Sequence, residues 1–200
     1  MEAQHQSRMK LLDAAQTCIR AKGYAATTVD DICVQAGLTK GSFFHHFKSK
    51  QDLVLGAVDH WNTFTTAIFA EADFAQCADP RDRVLGYVDF RIEILDRPAP
   101  EFACLLGTLV QEVYQTHDAV RAACDAGMSD HIAVLARDID AAKRLYAPHA
   151  DWSGESVGYF IQAVLQGAFI FAKAKQDAAV ARSNLLHLRR YLAMLFAVSQ

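Results

Sequence analysis

Thr27-Thr28-Val29-Asp30-Asp31-Ile32-Cys33-Val34-Gln35-Ala36-Gly37-Leu38-Thr39-Lys40-Gly41-Ser42-Phe43-Phe44-His45-His46-Phe47-Lys48-Ser49-Lys50 is a stretch punctuated like two short helices with a turn between them. Thr27 or Thr28 caps the first helix, which carries Val29, Ile32 and Cys33, and Asp30 and Asp31 sit where the N-terminal helix dipole favours negative charge. Gly37 allows a sharp left-handed turn, and Thr39 caps a further helix to about His46. The reading is helix, tight turn, helix. From Leu38 to Gln51 there is no acidic residue, while Lys40, His45, His46, Lys48 and Lys50 supply basic groups. A phosphate backbone would meet the chain here.

Outward from this stretch, helical spacing dominates and strand-like alternation is almost absent. A first helix is predicted over Ser7 to Lys22, with Leu11, Leu12, Ala15, Cys18 and Ile19 on one face and Gly23 stopping it. A fourth begins near Ser49 and runs past Trp61 to about Asp73. A fifth follows Asp79-Pro80 to about Asp96, a break falls at Pro98-Ala99-Pro100, and a sixth spans about Phe102 to Gln115. Asp118 caps a seventh reaching Tyr146. Val157, Phe160, Ile161, Val164, Leu165, Ala168, Phe169 and Ala172 mark an eighth. The last, about Ala178 to Val198, is apolar on more than one face, which fits burial in its own core or an interface with a second copy. The pattern predicts an all-α fold of about nine helices: an N-terminal three-helix domain over 1–50 and a larger helical domain over 51–200.

The chain has 200 residues, 52% hydrophobic and 22% charged, enough to bury a substantial core. Its net charge of -3 is unevenly spread: residues 1–55 hold seven Lys/Arg against five Asp/Glu, and the remainder hold thirteen against eighteen. Any polyanion binding must therefore come from a local basic face. Five cysteines without a C-x-x-C pair argue for reduced thiols and against a disulfide framework or zinc ribbon. The polar start, Met1 to Lys10, and the lack of a long uninterrupted apolar run predict a cytoplasmic protein without a membrane partner. No G-x-S-x-G, H-E-x-x-H, G-x-G-x-x-G or Walker pattern occurs, so no enzyme activity, cofactor or metal is expected.

Together with the first helix, Gly23, Tyr24, the paired threonines, the turn glycine, Lys-Gly-Ser and the Phe-Lys-Ser-Lys exit, this stretch resembles the DNA-binding segment of the TetR family over roughly residues 8 to 55. A recognition helix brings its N-terminal end to base edges in the major groove, and Gly41 permits that approach. Lys40, Ser42 and His45 are the base-reading candidates. Thr28, Thr39, Lys48 and Lys50 are candidate backbone clamps, with helix capping and solvated surface charge as their alternatives. Phe43 and Phe47 read as core. The family usually has a phosphate-binding tyrosine where this chain has Phe44. Phe44 then lies against sugar and backbone, and His45 or His46 donates to phosphate with a pH dependence near the histidine pKa of about 6.5.

The resemblance also implies a homodimer formed through the last two helices of each copy, a palindromic double-stranded operator, and a transcriptional repressor released by a small-molecule effector bound in the larger domain. Candidate effector-binding residues are Trp61, Phe64, Phe90, Arg91, Cys104, Glu112, His131 and Gln162. The segment from Cys104 to Glu112 resembles a branch of the family in which a cysteine responds to electrophiles. Cys104 near a helix start, with Lys173 or Lys175 to stabilise its thiolate, gives a redox- or electrophile-sensing alternative. An activator on the same scaffold is another.

Overall fold

The computed structural model describes residues 2–197. Among the described residues are ten α-helices: α1 (Glu2–Lys22), α2 (Val29–Ala36), α3 (Lys40–His46), α4 (Lys50–Glu71), α5 (Pro80–Glu93), α6 (Ala99–Phe102), α7 (Leu105–Val113), α8 (Asp118–Tyr146), α9 (Gly154–Lys175) and α10 (Ala179–Leu195). Two 3₁₀ turns, Asp73–Gln76 and Ile94–Asp96, follow α4 and α5, and the described residues contain no strand. The helices form two compact units, Met1–Thr65 with Ala103–Met128, and Thr66–Phe102 with Ser129–Gln200.

In the first unit α1 begins earlier than Ser7, because its polar leading residues include no helix breaker. It buries Leu11, Leu12, Ala15 and Ile19. It ends where Gly23 turns to φ +86° and donates its N–H to the Ile19 carbonyl at 2.8 Å. Thr28 is the residue that caps α2: its hydroxyl accepts from Asp31 N at 3.1 Å, and the Asp31 carboxylate accepts from Thr28 N at 2.8 Å. Gly37, at φ +64°, makes the turn into α3. The core of this unit extends well past residue 50. Leu53, Val54, Ala57 and Val58 from α4, Leu105, Leu106, Leu109 and Val113 from α7, and Val120 and Cys124 from α8 pack with Leu11, Ile19, Ile32 and Phe43.

The second unit starts α5 with Pro80 in the first turn and Asp79 as its cap, accepting from Arg81 N at 2.8 Å. The expected run to Asp96 finishes in a 3₁₀ turn. The expected break at Pro98 to Pro100 is instead the entry to α6, since proline is tolerated in a helix's first turn. The sixth helix expected from Phe102 correspondingly begins only at Leu105, as α7, capped by Cys104. Ser153 and Ser156 form the capping box of α9. The expected end of the last helix at Val198 lies outside the described residues. α10 packs on α9 and on α5, where Arg189 meets Asp89 at 2.6 Å. α9 is long and apolar enough to cross a membrane by length and composition alone. One of its faces, Val157, Ile161, Leu165, Ala168 and Phe169, is buried within the unit, while Tyr159, Phe160, Ile170 and Phe171 are exposed.

Candidate nucleic-acid interface

α3 is only seven residues long, so its presentation depends on what anchors it. Phe43 and Phe47 supply the anchor: both are buried, with ring centroids 6.0 Å apart, as the sequence suggested. The opposite side faces solvent. Thr39 accepts from Ser42 N at 3.2 Å as the cap of α3, which leaves its O–H free to donate and the residue exposed at the helix start. Gly41 is exposed, and a Cβ added there would meet only the Thr39 hydroxyl, at 3.6 Å. Nothing inside the chain requires a glycine at this position.

The charged candidates differ in how freely they can reach a phosphate. Lys48 is exposed. Lys40 pairs with Asp30 at 2.8 Å, and both side chains are largely exposed, so solvent makes the pair weak and exchangeable. Lys50 is engaged within the chain: its ammonium donates to the Tyr24 carbonyl at 2.5 Å and lies 4.0 Å from the centre of the Tyr24 ring. Burial shifts the Lys50 pKa downward, partly offset by Glu112 and Asp31. Thr28 donates its hydroxyl to Asp31 at 2.6 Å, and Lys22 closes on the same carboxylate at 2.7 Å. These hydrogen bonds, led by Lys22, hold the Asp31 carboxyl well below the usual carboxylate range.

The two histidines have separate surroundings. His46 is half-buried, 2.6 Å from the Ser7 hydroxyl on α1. Its pKa is lowered by burial, then by His45 and Arg8. His45 is exposed and meets Gln4 at 3.3 Å. Phe44 stands 61% exposed, its ring roughly perpendicular to that of Phe43 with centroids 5.1 Å apart.

A connection that sequence reading did not show ties α7 to the loop after α1. The Glu112 carboxylate accepts from the backbone N–H groups of Tyr24 and Ala25, each at 2.9 Å. The Tyr24 hydroxyl and His117 Nε2 are 3.2 Å apart. Gly23 is favoured here by its positive φ, and a Cβ would fall 2.2 Å from Glu112 Oε1 and push that carboxylate aside. Glu112, expected among effector contacts, thus clamps the loop that leads into α2.

The other effector candidates distribute over both units. In the first, Trp61 is partly buried under the Arg20 guanidinium at 4.9 Å, and Phe64 is 52% exposed. Cys104 caps α7, its sulfur accepting from Gly107 N at 3.5 Å. In the second, Gln162 donates to the Tyr87 hydroxyl at 3.0 Å, and that hydroxyl meets His131 Nε2 at 2.9 Å. Phe69 packs on Tyr87, Phe90 and His131 with centroids 5.0 to 5.8 Å apart, and on Arg91. Arg91, His131 and Gln162 are therefore brought into one cluster, through Tyr87 and Phe69. A separate groove of about 480 Å³ is lined by Phe74 and Phe90 and by Glu71, Asp73, Asp82, Asp89 and Glu93. Among the described residues, no group of three or more His, Cys, Asp or Glu is placed to hold a metal.

Comparison with known proteins places this geometry. Residues 11–57 match the family described as bacterial regulatory proteins, tetR family, and residues 80–188 match the tetracyclin repressor-like C-terminal domain. Transcriptional regulator AcuR of Cereibacter sphaeroides is 30% identical over 148 residues, covering 72% of this chain and 66% of that regulator. The HTH-type transcriptional repressor NemR of Escherichia coli K12 is 22% identical over 193 residues, covering 95% of this chain and 96% of NemR. The solved structure of regulatory protein TetR from Rhodobacter sphaeroides superposes with a TM-score of 0.83 at 24% identity over 92% of this chain and 98% of its own. A TetR transcriptional regulator from Chloroflexus aurantiacus does so with a TM-score of 0.86 at 22% identity over 100% of both chains.

Proposed function

This chain belongs to the TetR family of bacterial regulatory proteins, and we propose that it is a cytoplasmic, ligand-responsive repressor that binds a palindromic operator as a homodimer. Residues 1–50 carry the DNA contacts, and residues 51–200 carry effector binding and dimerisation. One observation carries the reading: α3 presents Thr39, Lys40, Gly41 and His45 to solvent from a scaffold locked by buried Phe43 and Phe47. Lys40, Ser42 and His45 read base edges across the gap that Gly41 leaves, while Thr39 and Lys48 set register on the phosphates with Phe44 against the sugar, and Thr28, its hydroxyl given to Asp31, acts by fixing the start of α2. Lys50 acts indirectly, by holding the Tyr24 loop.

Dimerisation is supported by the apolar surface that α9 and α10 leave uncovered. Tyr159, Phe160, Ile170, Phe171, Leu186, Tyr191 and Met194 are all at least 40% exposed, a density more typical of an interface than of a monomer surface. In this reading the apolarity of α9 serves the core and subunit contact rather than lipid. A two-fold axis places the recognition helices about one DNA turn apart, roughly 34 to 36 Å. An effector that prefers the DNA-incompetent arrangement shifts α4 and releases the operator.

A second reading, that Cys104 senses electrophiles or oxidants, is favoured by its place as the cap of α7, where the residue is only partly buried. Selection of bound fragments from sheared genomic DNA tests the main reading. Enrichment of an inverted repeat is expected, and uniform recovery of unrelated sequences would refute it.

A further inference from the structure

Arg91 occupies an unusual position in the second unit. Its guanidinium carbon lies over the rings of Phe69 at 5.7 Å and Phe169 at 5.3 Å. Its Nε is shielded from solvent and, among the described residues, has no hydrogen-bond partner. A buried donor left unpaired is costly, and stacking on two rings does nothing for it, because guanidinium N–H groups point along the plane and not out of its faces.

The neighbouring groups do not neutralise the charge. His131 stacks on Phe69 with centroids 5.0 Å apart and meets the Tyr87 hydroxyl. Burial, and then the Arg91 charge, push its imidazole down to about 4, so it is neutral at pH 7. Gln162 and Tyr87 are neutral as well. The cluster combines aromatic rings and neutral polar groups with one fixed positive charge.

We propose that Arg91 anchors a small monocarboxylate effector, the carboxylate accepting along the guanidinium edge that includes Nε and an apolar body lying on the aromatic walls beside Phe69. A monocarboxylate balances the single cation, whereas a phosphate dianion would leave one charge uncompensated. Bidentate geometry suits arginine specifically. The proposal rests on the effector reading above and gives that effector a chemical class.

The test uses the full-length protein with benzoate and hexanoate as probes, their amides as uncharged isosteres, and inorganic phosphate as the competing anion. Calorimetry and thermal shift should show both acids binding and raising Tm, with amides and phosphate weaker by about tenfold or more. Arg91→Gln should weaken acid binding by about 10- to 100-fold while retaining the helical circular dichroism spectrum. Arg91→Met should hold or raise Tm in the absence of acid, since it removes an unpaired buried donor. Equal binding of acids and amides, preference for phosphate, acid binding unchanged in Arg91→Gln, no binding of either acid at millimolar concentration, or a lowered Tm in Arg91→Met would each overturn the proposal. Arg91-dependent acid binding that leaves operator affinity unmoved would uphold the site and refute only its role in releasing DNA.

Discussion

Replacing Gly23 and Glu112 separately and together tests whether α7 holds the helix-turn-helix loop as described. Glu112→Ala removes two charge-assisted hydrogen bonds of 2.9 Å to Tyr24 N and Ala25 N. Both donors can turn to water, so each loss is worth about 1 kcal/mol, for a total near 2 kcal/mol. Gly23→Ala forces a Cβ into a backbone with φ +86° and places it 2.2 Å from Glu112 Oε1. The left-handed conformation costs about 1–2 kcal/mol, and displacing the carboxylate forfeits about 1–2 kcal/mol of the clamp. In the double variant the carboxylate is already gone, so only the backbone cost adds to the Glu112→Ala loss. The expected coupling is about 1.5 kcal/mol, with the double variant near 3.5 kcal/mol rather than the additive 5 kcal/mol. Urea unfolding followed by circular dichroism measures this, with hydrogen exchange at Tyr24 and Ala25 as the local readout. Additivity within about 0.5 kcal/mol, or unchanged exchange at these amides in Glu112→Ala, would refute the clamp.

Gly41→Ala should stabilise the protein by about 0.5–1 kcal/mol, since alanine is the better helix former and its Cβ has room, yet it should weaken operator binding. Thermal unfolding and fluorescence anisotropy check the two halves. Phe44→Tyr should strengthen operator binding by up to about tenfold, by adding a hydroxyl that donates to phosphate from an exposed ring. Binding to a methylphosphonate duplex should cancel that gain. The Asp31 carboxyl is lowered by Lys22 and Thr28, so its contribution to stability is present above the ordinary carboxylate pKa of about 3.9 and is lost as pH falls through the native value. Asp31→Asn should therefore lower Tm near pH 6 and flatten the fall of Tm below about pH 4.

The local elements of the DNA-binding segment were legible because each rests on neighbours in sequence. Thr28 and Asp31, Gly37, and Thr39 and Ser42 are caps and turns closed within three or four residues. The clamp is different: Glu112 lies 88 residues from Tyr24, and nothing in helical periodicity distinguishes a glutamate that reaches a distant loop from one facing solvent. The same holds for Lys50, whose place in a basic run suggested a phosphate, while the Tyr24 carbonyl and ring engage it in the fold. α7 was visible as an apolar helix, but its packing into the first unit's core was not, because periodicity reports a buried face without naming what covers it. Arg91, His131 and Gln162 were singled out as polar residues among aromatics; Tyr87 and Phe69, which join them, carry no distinguishing sequence signal, and Phe169, which flanks them, reads only as part of an apolar helix face.

Salt dependence of binding to the selected operator tests the central claim most directly. If α3 and its flanks dock on the phosphate backbone, log K falls steeply and linearly with log salt, and Lys48→Ala should reduce the slope by about 2 per dimer, one for each copy. Lys40→Ala should do so as well or, if Lys40 reads a base edge, relax sequence preference at its position instead. Binding insensitive to salt, with a slope that neither variant changes, would contradict the account.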